Sequence, residues 1–385
     1  MTTSKAKAVK SRIKSSNSKP PTAQLSKTPT ANSKPAKAKA ATPVVVKAKA
    51  IKAKSEKTKT TKPQLSQTKI GKTKAIKSKT QTLKSSKAKI AWPVKTREMH
   101  NHHMNSTVWN NFKFRNDDII IATYAKSGTT WMQQIVGQLI FNGAEGVDVG
   151  HASPWVDLRI LPPEAIAGLE KLPHRRFVKT HLPIDALVFS PKAKYIYIGR
   201  DGRDAVWSMY NHHANANEKW YGALNNTPGR IGPPIDPPPD SVHQYYQEWM
   251  DGDGYPFWPF WENIRSWWAI RDLPNVKIMH FNDMKKDLAG SIQQIADFLE
   301  IKLDALTLSK IVDHCTFDYM KAHAELTAPL GGAMWNGGAK TFINKGTNGR
   351  WREMLNPAEI AAYEAKAIQE LGPACATWLA EGHNT

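Results

Sequence analysis

From residue 118 onward, short apolar runs alternate with amphipathic segments. Each run is four to six residues long and largely apolar, which is typical of a strand buried on both faces. The predicted strands are 118–123, 176–179, 194–199 and 276–281. Apolar residues elsewhere recur at intervals of three and four, which predicts helices at 129–141, 204–212 and 291–299. Strands that alternate with helices favour an α/β fold, a single domain with a central, mainly parallel sheet.

Residues 221–260 interrupt this alternation. They contain a cluster of prolines, several glycines and a group of aromatic residues that begins at Tyr255. A long irregular segment within a compact domain is often a lid or a binding loop, and so many aromatic side chains are rarely all exposed. We therefore predict an irregular binding loop with largely buried aromatic residues. The nearby Trp267 and Trp268 are predicted to pack a helix rather than bind a ligand.

The first 90 residues differ sharply in composition from the rest. They contain 24 Lys, one Arg, one acidic residue and no aromatic residue, whereas the remaining chain is nearly neutral and holds all 14 Trp. Such a segment repels itself and cannot bury enough apolar surface to offset the entropy lost on ordering. We predict a disordered basic tail at 1–90 and a folded domain at 91–385. The tail is either a solubilising linker or a nonspecific binder of nucleic acid and other polyanions.

Other features narrow the class of protein. No run of about 18 apolar residues is present, so no membrane-spanning helix is predicted, and the N-terminus lacks the apolar core of a secretory signal. Two cysteines, Cys315 and Cys375, show neither a disulfide framework nor metal-ligand spacing. These observations favour a reducing cytoplasm and a site without metal. Five histidines are predicted to be surface or helix-cap residues: His100, His102, His103, His212 and His213.

The strongest chemical signal is the segment 123–131, TYAKSGTTW. A buried strand ends there, a turn containing Gly128 follows, and a helix begins at two threonines. Backbone N–H groups at the helix start, the helix dipole, Lys126 and the hydroxyl of Ser127 together suit a phosphate-like anion. The spacing differs from a Walker A loop, because Lys126 precedes Gly128 in a shorter turn. An ordinary strand–turn–helix with Ser and Thr caps is the alternative.

The segment FVKTHLP at 177–183 ends a second strand with polar residues. In open α/β sheets, the ligand crevice lies beyond the carboxyl ends of the strands. Lys179 and His181 are two positions apart, so they point the same way in an extended chain. Lys stabilises developing negative charge and His accepts a proton, so the pair suits transfer of a charged group. A capped strand end with a surface histidine is the simpler alternative.

A third strand end, at 195–210, carries Arg200 and the helical Ser208. An Arg at a strand end with a hydroxyl downstream suits a second phosphate, well separated from the first. A magnesium-dependent kinase would tend to place an Asp directly at the end of such a strand. Here the strand runs into Arg200 instead, which argues against a kinase.

These three segments, in this order, resemble the cytosolic-type sulfotransferases. That family typically has YPKSGTTW where this chain has YAKSGTTW, and its K-T-H-L-P segment is present at 179–183. Its strand–Arg–helix–Ser element matches Arg200 and Ser208, and its R-K-G-x-x-G-x-W segment corresponds to NKGTNGRW at 344–351. The match covers about residues 110–365, and HASPWVDLR near His151 is similar to bacterial glycolipid-type members. The resemblance implies a P-loop-like strand–loop–helix that binds the donor 3′-phosphoadenylyl sulfate (PAPS).

The resemblance also implies a role for each matched residue. His181 would be the general base, and Lys126 and Lys179 would stabilise charge on the transferring group and on the leaving phosphate. The phosphosulfate would be bound by Lys126, Ser127, Gly128, Thr129 and Thr130. The adenine would lie between Trp131 and Phe317. The 3′-phosphate would be bound by Arg200, Ser208, Lys345 and Gly346, with Asn344 beside them in the donor site.

Three departures from the family pattern matter. Asn344 stands where the family has Arg, which removes one bidentate phosphate clamp. Phe281 stands where a Tyr commonly contacts the adenine, so a hydroxyl contact is lost. The family's C-terminal dimer motif, K-x-x-x-T-V-x-x-x-E, is not kept, which leaves the oligomeric state open.

The resemblance therefore implies in-line transfer of a sulfuryl group from PAPS to a hydroxyl or amine of a small-molecule or glycolipid acceptor, without a metal. Two alternatives stay open: an ATP-dependent small-molecule kinase, and a polyanion-binding protein that acts through its basic tail. The absent Walker A loop argues against the kinase. The net charge of −3 on residues 91–385 argues against nucleic-acid binding by the folded domain. No motif indicates which acceptor is used.

The tail is predicted to be separable from catalysis. A protein that starts near Lys89 should fold and transfer sulfate about as well as the whole chain, because a tail without aromatic anchors cannot dock stably on a domain. The tail should bind DNA or RNA without sequence preference, with a slope of log K against log salt of about −0.7 to −0.9 per phosphate contacted. Activity and binding assays test both statements. Loss of folding on truncation, or polyanion binding that survives high salt, would contradict them.

Overall fold

Four parallel strands form the central sheet of the described structure. The computed structural model describes residues 90–382, so the predicted basic tail lies outside the described residues except for Ile90. The strands are β1 (Ile119–Thr123), β2 (Phe177–Thr180), β3 (Lys194–Gly199) and β4 (Val276–His280), in the order β2-β1-β3-β4. The four predicted strands are confirmed to within one residue at each end, and the predicted parallel pairing is also confirmed.

Helices connect the strands and cover the sheet. Their bounds are α1 (Thr129–Ile140), α2 (Val149–Ala152), α3 (Pro163–Leu169), α4 (Gly202–Ala214), α5 (Glu218–Asn226), α6 (Val242–Asp251), α7 (Phe260–Trp268), α8 (Phe281–Lys286), α9 (Leu288–Phe298), α10 (Ala305–His314), α11 (Phe317–Ala322), α12 (Ala324–Thr327), α13 (Ala339–Phe342), α14 (Pro357–Leu371) and α15 (Pro373–Glu381). Short 3₁₀ helices occur at Ser106–Asn111, Ile184–Ala186, Pro329–Gly332 and Arg350–Glu353. Within residues 90–382, no helix has the length and apolar character needed to cross a membrane.

The alternation of side chains along β1 divides the apolar core between the two faces of the sheet. Ile120 packs into a cluster that includes Trp267 of α7, with Trp268 partly buried against it. Ile119 packs into a second cluster with residues of α1 and α9. Successive side chains of a strand point to opposite faces, so a strand covered on both sides must be apolar throughout. The prediction that the two tryptophans pack a helix is therefore confirmed.

The predicted helices are present, and two of them begin earlier than the sequence pattern indicates. The Asp201 carboxylate accepts the Arg203 N–H at 2.9 Å and starts α4. The Asp287 carboxylate accepts the Gly290 N–H at 2.8 Å and starts α9. Each Asp satisfies an amide that the first helical turn leaves without a backbone partner. Capping thus sets both starts, whereas the apolar pattern shows only the buried face.

The segment 221–260 is only in part the irregular binding loop that the sequence predicts: 227–241 and 252–259 contain neither helix nor strand, and Thr227 and Phe257 line the cavity described below. It contains all of α6 and the end of α5. The hydroxyl of Ser241 accepts the Gln244 N–H at the start of α6, which then buries three aromatic side chains. The five clustered prolines lie at 233–239, outside both helices, so they interrupt neither one. The aromatic group after α6 is buried as predicted, except for Tyr255, which is 57% exposed.

The carboxyl ends of β1, β2 and β3 meet along one edge of the sheet. In the register of the first two strands, Ala122 pairs with Thr180. The loops that leave the three strand ends begin with segments that carry Lys126, His181 and Arg200. In a parallel sheet, this is the edge at which ligands bind. Topology therefore brings together side chains that are far apart in the chain.

Candidate active site

A cavity of about 900 Å³ lies at this edge of the sheet. Its walls come from the β1–α1 loop, the end of β2, the start of α4 and the C-terminal segment 344–350. Thirteen of the predicted site residues line it: Lys126, Gly128, Thr129, Thr130, Trp131, Lys179, His181, Arg200, Ser208, Phe317, Asn344, Lys345 and Gly346. The remaining one, Ser127, is fully buried, and its Oγ has no hydrogen-bond partner within residues 90–382.

The β1–α1 loop requires glycine at its tightest point. Gly128 has a φ of 111°, and Lys126 has a φ of 67°. A Cβ at Gly128 would lie 3.0 Å from the ring of Phe281, so both the backbone conformation and the close approach favour glycine. Gly128 also begins α1 without a side-chain cap. The first turn of α1 is therefore not capped by a side-chain acceptor, an arrangement suited to an anion.

Two lysine side chains reach the cavity from buried positions. Burial, with the nearby charges of Arg200 and Lys179, lowers the pKa of Lys126 to about 7. Burial also lowers the pKa of Lys179 to about 8, although the charge of Asp157 opposes this effect. Neither ammonium group forms an ion pair within residues 90–382, and Nζ of Lys126 lies 3.4 Å from Nδ1 of His212. Desolvated cations without a carboxylate partner favour the binding of an anion.

His181 is a buried imidazole whose tautomer is set by the backbone. Its Nδ1 lies 2.7 Å from the carbonyl oxygen of Thr123. Because a carbonyl only accepts, Nδ1 carries the proton and Nε2 remains a proton acceptor. Burial, with the charge of Lys179, lowers the pKa of His181 to about 3. The ring lies edge-on to Trp155 at a centroid distance of 4.7 Å and also contacts Trp258, which holds its orientation.

Asp157 is a buried site residue that the sequence analysis missed. Its carboxylate accepts hydrogen bonds from Trp109 Nε1 at 2.8 Å, from Trp155 Nε1 and from Thr180 Oγ1. Burial raises the pKa of Asp157 to about 6 despite these bonds. Thr180 is the middle residue of the K-T-H segment, so the carboxylate anchors the segment that carries both the lysine and the histidine. The sequence signal for it is weak: one acidic residue in the apolar stretch PWVDL.

Arg200 joins the β1–α1 loop to the C-terminal segment 344–350. It is nearly fully buried. Its guanidinium donates to the Lys126 carbonyl at 2.9 Å, to the Thr347 carbonyl at 3.0 Å and to Asn348 Oδ1 at 2.8 Å. The Gly349 N–H donates to the Asp204 carboxylate at 2.7 Å and holds the same segment from α4. Arg200 therefore fastens two walls of the cavity together.

The two aromatic residues expected at the adenine both line the cavity. Trp131 Nε1 donates to the Cys315 carbonyl at 2.8 Å, which orients the indole at the start of α1. Phe317 is 41% exposed. A Cβ at Gly346 would lie 2.7 Å from the Phe317 ring, so glycine allows the C-terminal segment to approach it. Phe281 contacts Trp131 edge-on at a centroid distance of 5.3 Å.

The prediction that the other histidines are surface or cap residues is wrong for four of the five. Burial lowers the pKa of each of these four: His102, His103, His212 and His213. Neutral imidazoles pack like other aromatic rings, and His103 lies among Trp155, Trp220 and Phe257. A sequence signal was present, because His213 follows the buried Met209 by one helical turn.

The part of the cavity around His181 is largely apolar and aromatic. Its lining includes Trp155, Leu158, Ile160, Trp220, Leu224, Phe257 and Trp258. Cationic side chains from the β1–α1 loop, from β2 and from the residue after β3 line the same cavity. The site can therefore hold a charged group against the lysines and an apolar molecule beside a neutral base. No group of three or more His, Cys, Asp or Glu side chains in the described part of the chain is arranged to hold a metal ion.

Comparison with known proteins gives the family. Residues 116–372 match the sulfotransferase domain. The chain belongs to the sulfotransferase family. It is 32% identical over 298 residues to a glycolipid sulfotransferase of Mycobacterium bovis. This alignment covers 71% of this chain and 91% of that protein. It is 31% identical over 281 residues to sulfotransferase 1B1 of Canis lupus familiaris. This alignment covers 68% of this chain and 87% of that protein.

The fold of this sulfotransferase is shared with solved structures. The crystal structure of mouse sulfotransferase SULT7A1 complexed with PAP matches with a TM-score of 0.56 at 20% identity, and covers 72% of this chain and 94% of that chain. The predicted α/β class is therefore confirmed. Membership of the family also decides against the kinase alternative.

We predict that replacing Arg200 loosens the C-terminal segment 344–350 of this sulfotransferase. Arg200→Ala removes the donors to Thr347 and Asn348. A hydrogen bond from a charged group contributes about 1.5–3 kcal/mol, so amide hydrogen exchange of the ligand-free protein should be roughly tenfold faster or more in this segment. Arg175→Ala removes hydrogen bonds to other segments and should leave the segment unchanged. Equal exchange in both variants would contradict the assignment.

Proposed function

We propose that this sulfotransferase transfers a sulfuryl group from PAPS to a hydroxyl or amine of an apolar acceptor by in-line transfer. Sulfuryl transfer is the reaction of the family to which the chain belongs. The observation that carries the finer proposal is the tautomer of His181, whose Nε2 is available beside two buried ammonium groups. A base and two cations around one cavity supply what this reaction needs from the protein.

In the proposed step, the acceptor oxygen attacks the sulfur atom while its proton passes to Nε2 of His181. A bond forms between this oxygen and sulfur, and the bond between sulfur and the bridging phosphate oxygen breaks. The bridging oxygen leaves with the electron pair, as part of adenosine 3′,5′-bisphosphate (PAP). The hydrogen bond from Nδ1 to the Thr123 carbonyl stabilises the imidazolium that forms, which then releases its proton to solvent.

Lys126 and Lys179 are proposed to compensate the negative charge on the sulfuryl oxygens and on the leaving phosphate. Both ammonium groups lie in a buried, weakly polarisable environment, where a fixed charge acts strongly. The charge of a bound donor raises the pKa of each lysine, so both are protonated when the reaction occurs. Charge compensation by lysines and backbone N–H groups supports the prediction that transfer needs no metal.

The rest of the donor is proposed to occupy the residues predicted for it. The phosphosulfate would lie in the cradle at 126–130, where the buried Ser127 hydroxyl has no other partner within the described residues. The adenine would lie between Trp131 and Phe317, and the 3′-phosphate near Arg200, Ser208 and 344–346. The presence of PAP in the similar mouse structure supports this donor.

The acceptor is proposed to be an apolar small molecule or a glycolipid with a free hydroxyl. The aromatic lining around His181 supports an apolar body, and a relative from Mycobacterium bovis is a glycolipid sulfotransferase. We further propose that 91–385 is the catalytic domain and that 1–90 is separable from catalysis, as a solubilising linker or as a binder of polyanions. Two free, buried cysteines support a reducing, cytoplasmic location.

Replacing His181 should abolish most of the turnover without loss of donor binding. His181→Ala is expected to lower kcat by about 10²- to 10⁴-fold, because a positioned base acts in the chemical step. The affinity for PAP, measured by calorimetry, should change little. His151→Ala is the matched control, because the His151 side chain is 83% exposed. Near wild-type turnover of the His181 variant on an alcohol acceptor would show that another group is the base.

The pH profile should differ from that of an enzyme with an ordinary histidine base. The pKa of His181 is lowered to about 3, so kcat/KM for PAPS should show no acidic limb near pH 6.5. The pKa of Lys126 is lowered to about 7 and that of Lys179 to about 8, so kcat/KM should fall as pH rises through 7 to 8 and the free enzyme loses these charges. In Lys126→Arg, the fall that begins near pH 7 should disappear. A kcat/KM that instead rises between pH 6 and 7 would contradict these assignments.

A further inference from the structure

Arg350 is a cation on the cavity wall that takes no part in the proposed transfer step. It begins the 3₁₀ helix Arg350–Glu353 and lines the cavity together with Ser208. Its guanidinium lies 4.7 Å from the centroid of the Trp207 ring. Within residues 90–382, no carboxylate or carbonyl accepts a hydrogen bond from it. All five of its N–H donors therefore remain available to a ligand.

A second guanidinium stands nearby but is already engaged. Each of the three nitrogens of Arg200 donates to a protein oxygen. Burial lowers the pKa of Arg200; the charges of Asp204 and Asp201 oppose this shift, and the positive charge of Arg350 adds to it. Two like charges beside one cavity repel each other, and an anion bound between them relieves that repulsion. Of the two guanidinium groups, that of Arg350 is the one whose N–H groups all lack a hydrogen-bond partner within residues 90–382.

The position of Arg350 is held by the segment that precedes it. Lys285 Nζ donates to the Gly346 carbonyl at 2.8 Å, and the Gly349 N–H donates to Asp204 at 2.7 Å. The Trp207 ring, whose centroid lies 4.7 Å from the guanidinium carbon, attracts this cation. Trp207 immediately precedes Ser208, one of the residues assigned to the 3′-phosphate. The guanidinium therefore lines the same cavity as Ser208, which is proposed to bind the 3′-phosphate.

We propose that Arg350 binds the 3′-phosphate of the donor and takes the place of the Arg that is absent at Asn344. The inference rests on the proposed PAPS donor. A planar guanidinium forms two parallel hydrogen bonds to a phosphate, whereas the Asn344 amide carries no charge. The segment 344–350 then supplies its guanidinium from the end of the loop rather than from its start, in addition to the ammonium group of Lys345.

Binding to the ligand-free protein tests this without turnover. PAP carries the 3′-phosphate, whereas adenosine 5′-phosphate lacks it, so the ratio of their affinities isolates this one contact. In Arg350→Ala, the Kd for PAP should rise by about 10- to 100-fold, the range for a hydrogen bond to a charged group. The Kd for adenosine 5′-phosphate should change less than about threefold, which also shows that the site is still folded.

Three further variants sharpen the test. Arg352→Ala is the matched control, because Arg352 lies in the same 3₁₀ helix and stacks on Trp351 at 4.3 Å. It should leave both affinities within about threefold. Arg350→Lys should restore only part of the PAP affinity, because an ammonium lacks the planar fork. Adding Asn344→Arg to Arg350→Ala should recover PAP affinity if the two positions serve one phosphate.

The outcomes separate this inference from the proposed function. If the unaltered protein binds PAP no better than adenosine 5′-phosphate, the proposed donor is wrong. If it prefers PAP and Arg350→Ala keeps that preference, the donor stands and the role of Arg350 is overturned. Equal loss of affinity for both nucleotides in Arg350→Ala would also overturn it, because the change would then act on the whole site.

Discussion

Burial of positive charge at one edge of a parallel sheet is the constraint on which the rest of the site depends. Lys126, Lys179 and Arg200 all lie there, and burial lowers the pKa of each. The nearby carboxylates do not neutralise the lysines directly. Asp157 is bound by two indole N–H groups and a hydroxyl, and Asp204 accepts a backbone N–H. The cavity therefore keeps a positive potential that an anionic donor can satisfy.

The same burial decides the state of the histidine that would act as base. A protonated imidazole beside Lys179 would add another charge to a site that is already positive, so His181 stays neutral. The Thr123 carbonyl then determines which nitrogen accepts a proton. The surrounding wall is built from tryptophan, phenylalanine and neutral histidine. Such rings exclude water while adding no charge, so the electrostatic effect of the lysines is preserved.

Segments far apart in the chain close one side of the cavity. Arg200 leaves β3, donates to the carbonyl of Lys126 in the β1–α1 loop, and donates to Thr347 in the C-terminal segment. One guanidinium thus sets the distance between the cradle and the segment 344–350. An Arg that holds two walls together has few donors left for a ligand.

The strands, the cradle and most of the candidate site could be predicted from the sequence, because each is encoded locally. The run at 118–123 is apolar on both faces, and TYAKSGTTW places its glycine, lysine and hydroxyls at the start of a helix. The predictions that failed are those that depend on contacts with residues distant in the chain. Proline content misled the interpretation of 221–260, since the α6 cap at Ser241 and its buried face act independently of the prolines.

By itself, the sequence determined the family, the sheet and the chemical types of the site residues, because short motifs at strand ends need only local spacing. Tertiary structure alone decided their environments. His102, His103, His212 and His213 became neutral packing groups, and Asp157 became the anchor of the K-T-H segment, only when other elements removed them from water. Burial and charge proximity arise from contacts between remote segments, and such contacts leave no periodic pattern in a single sequence.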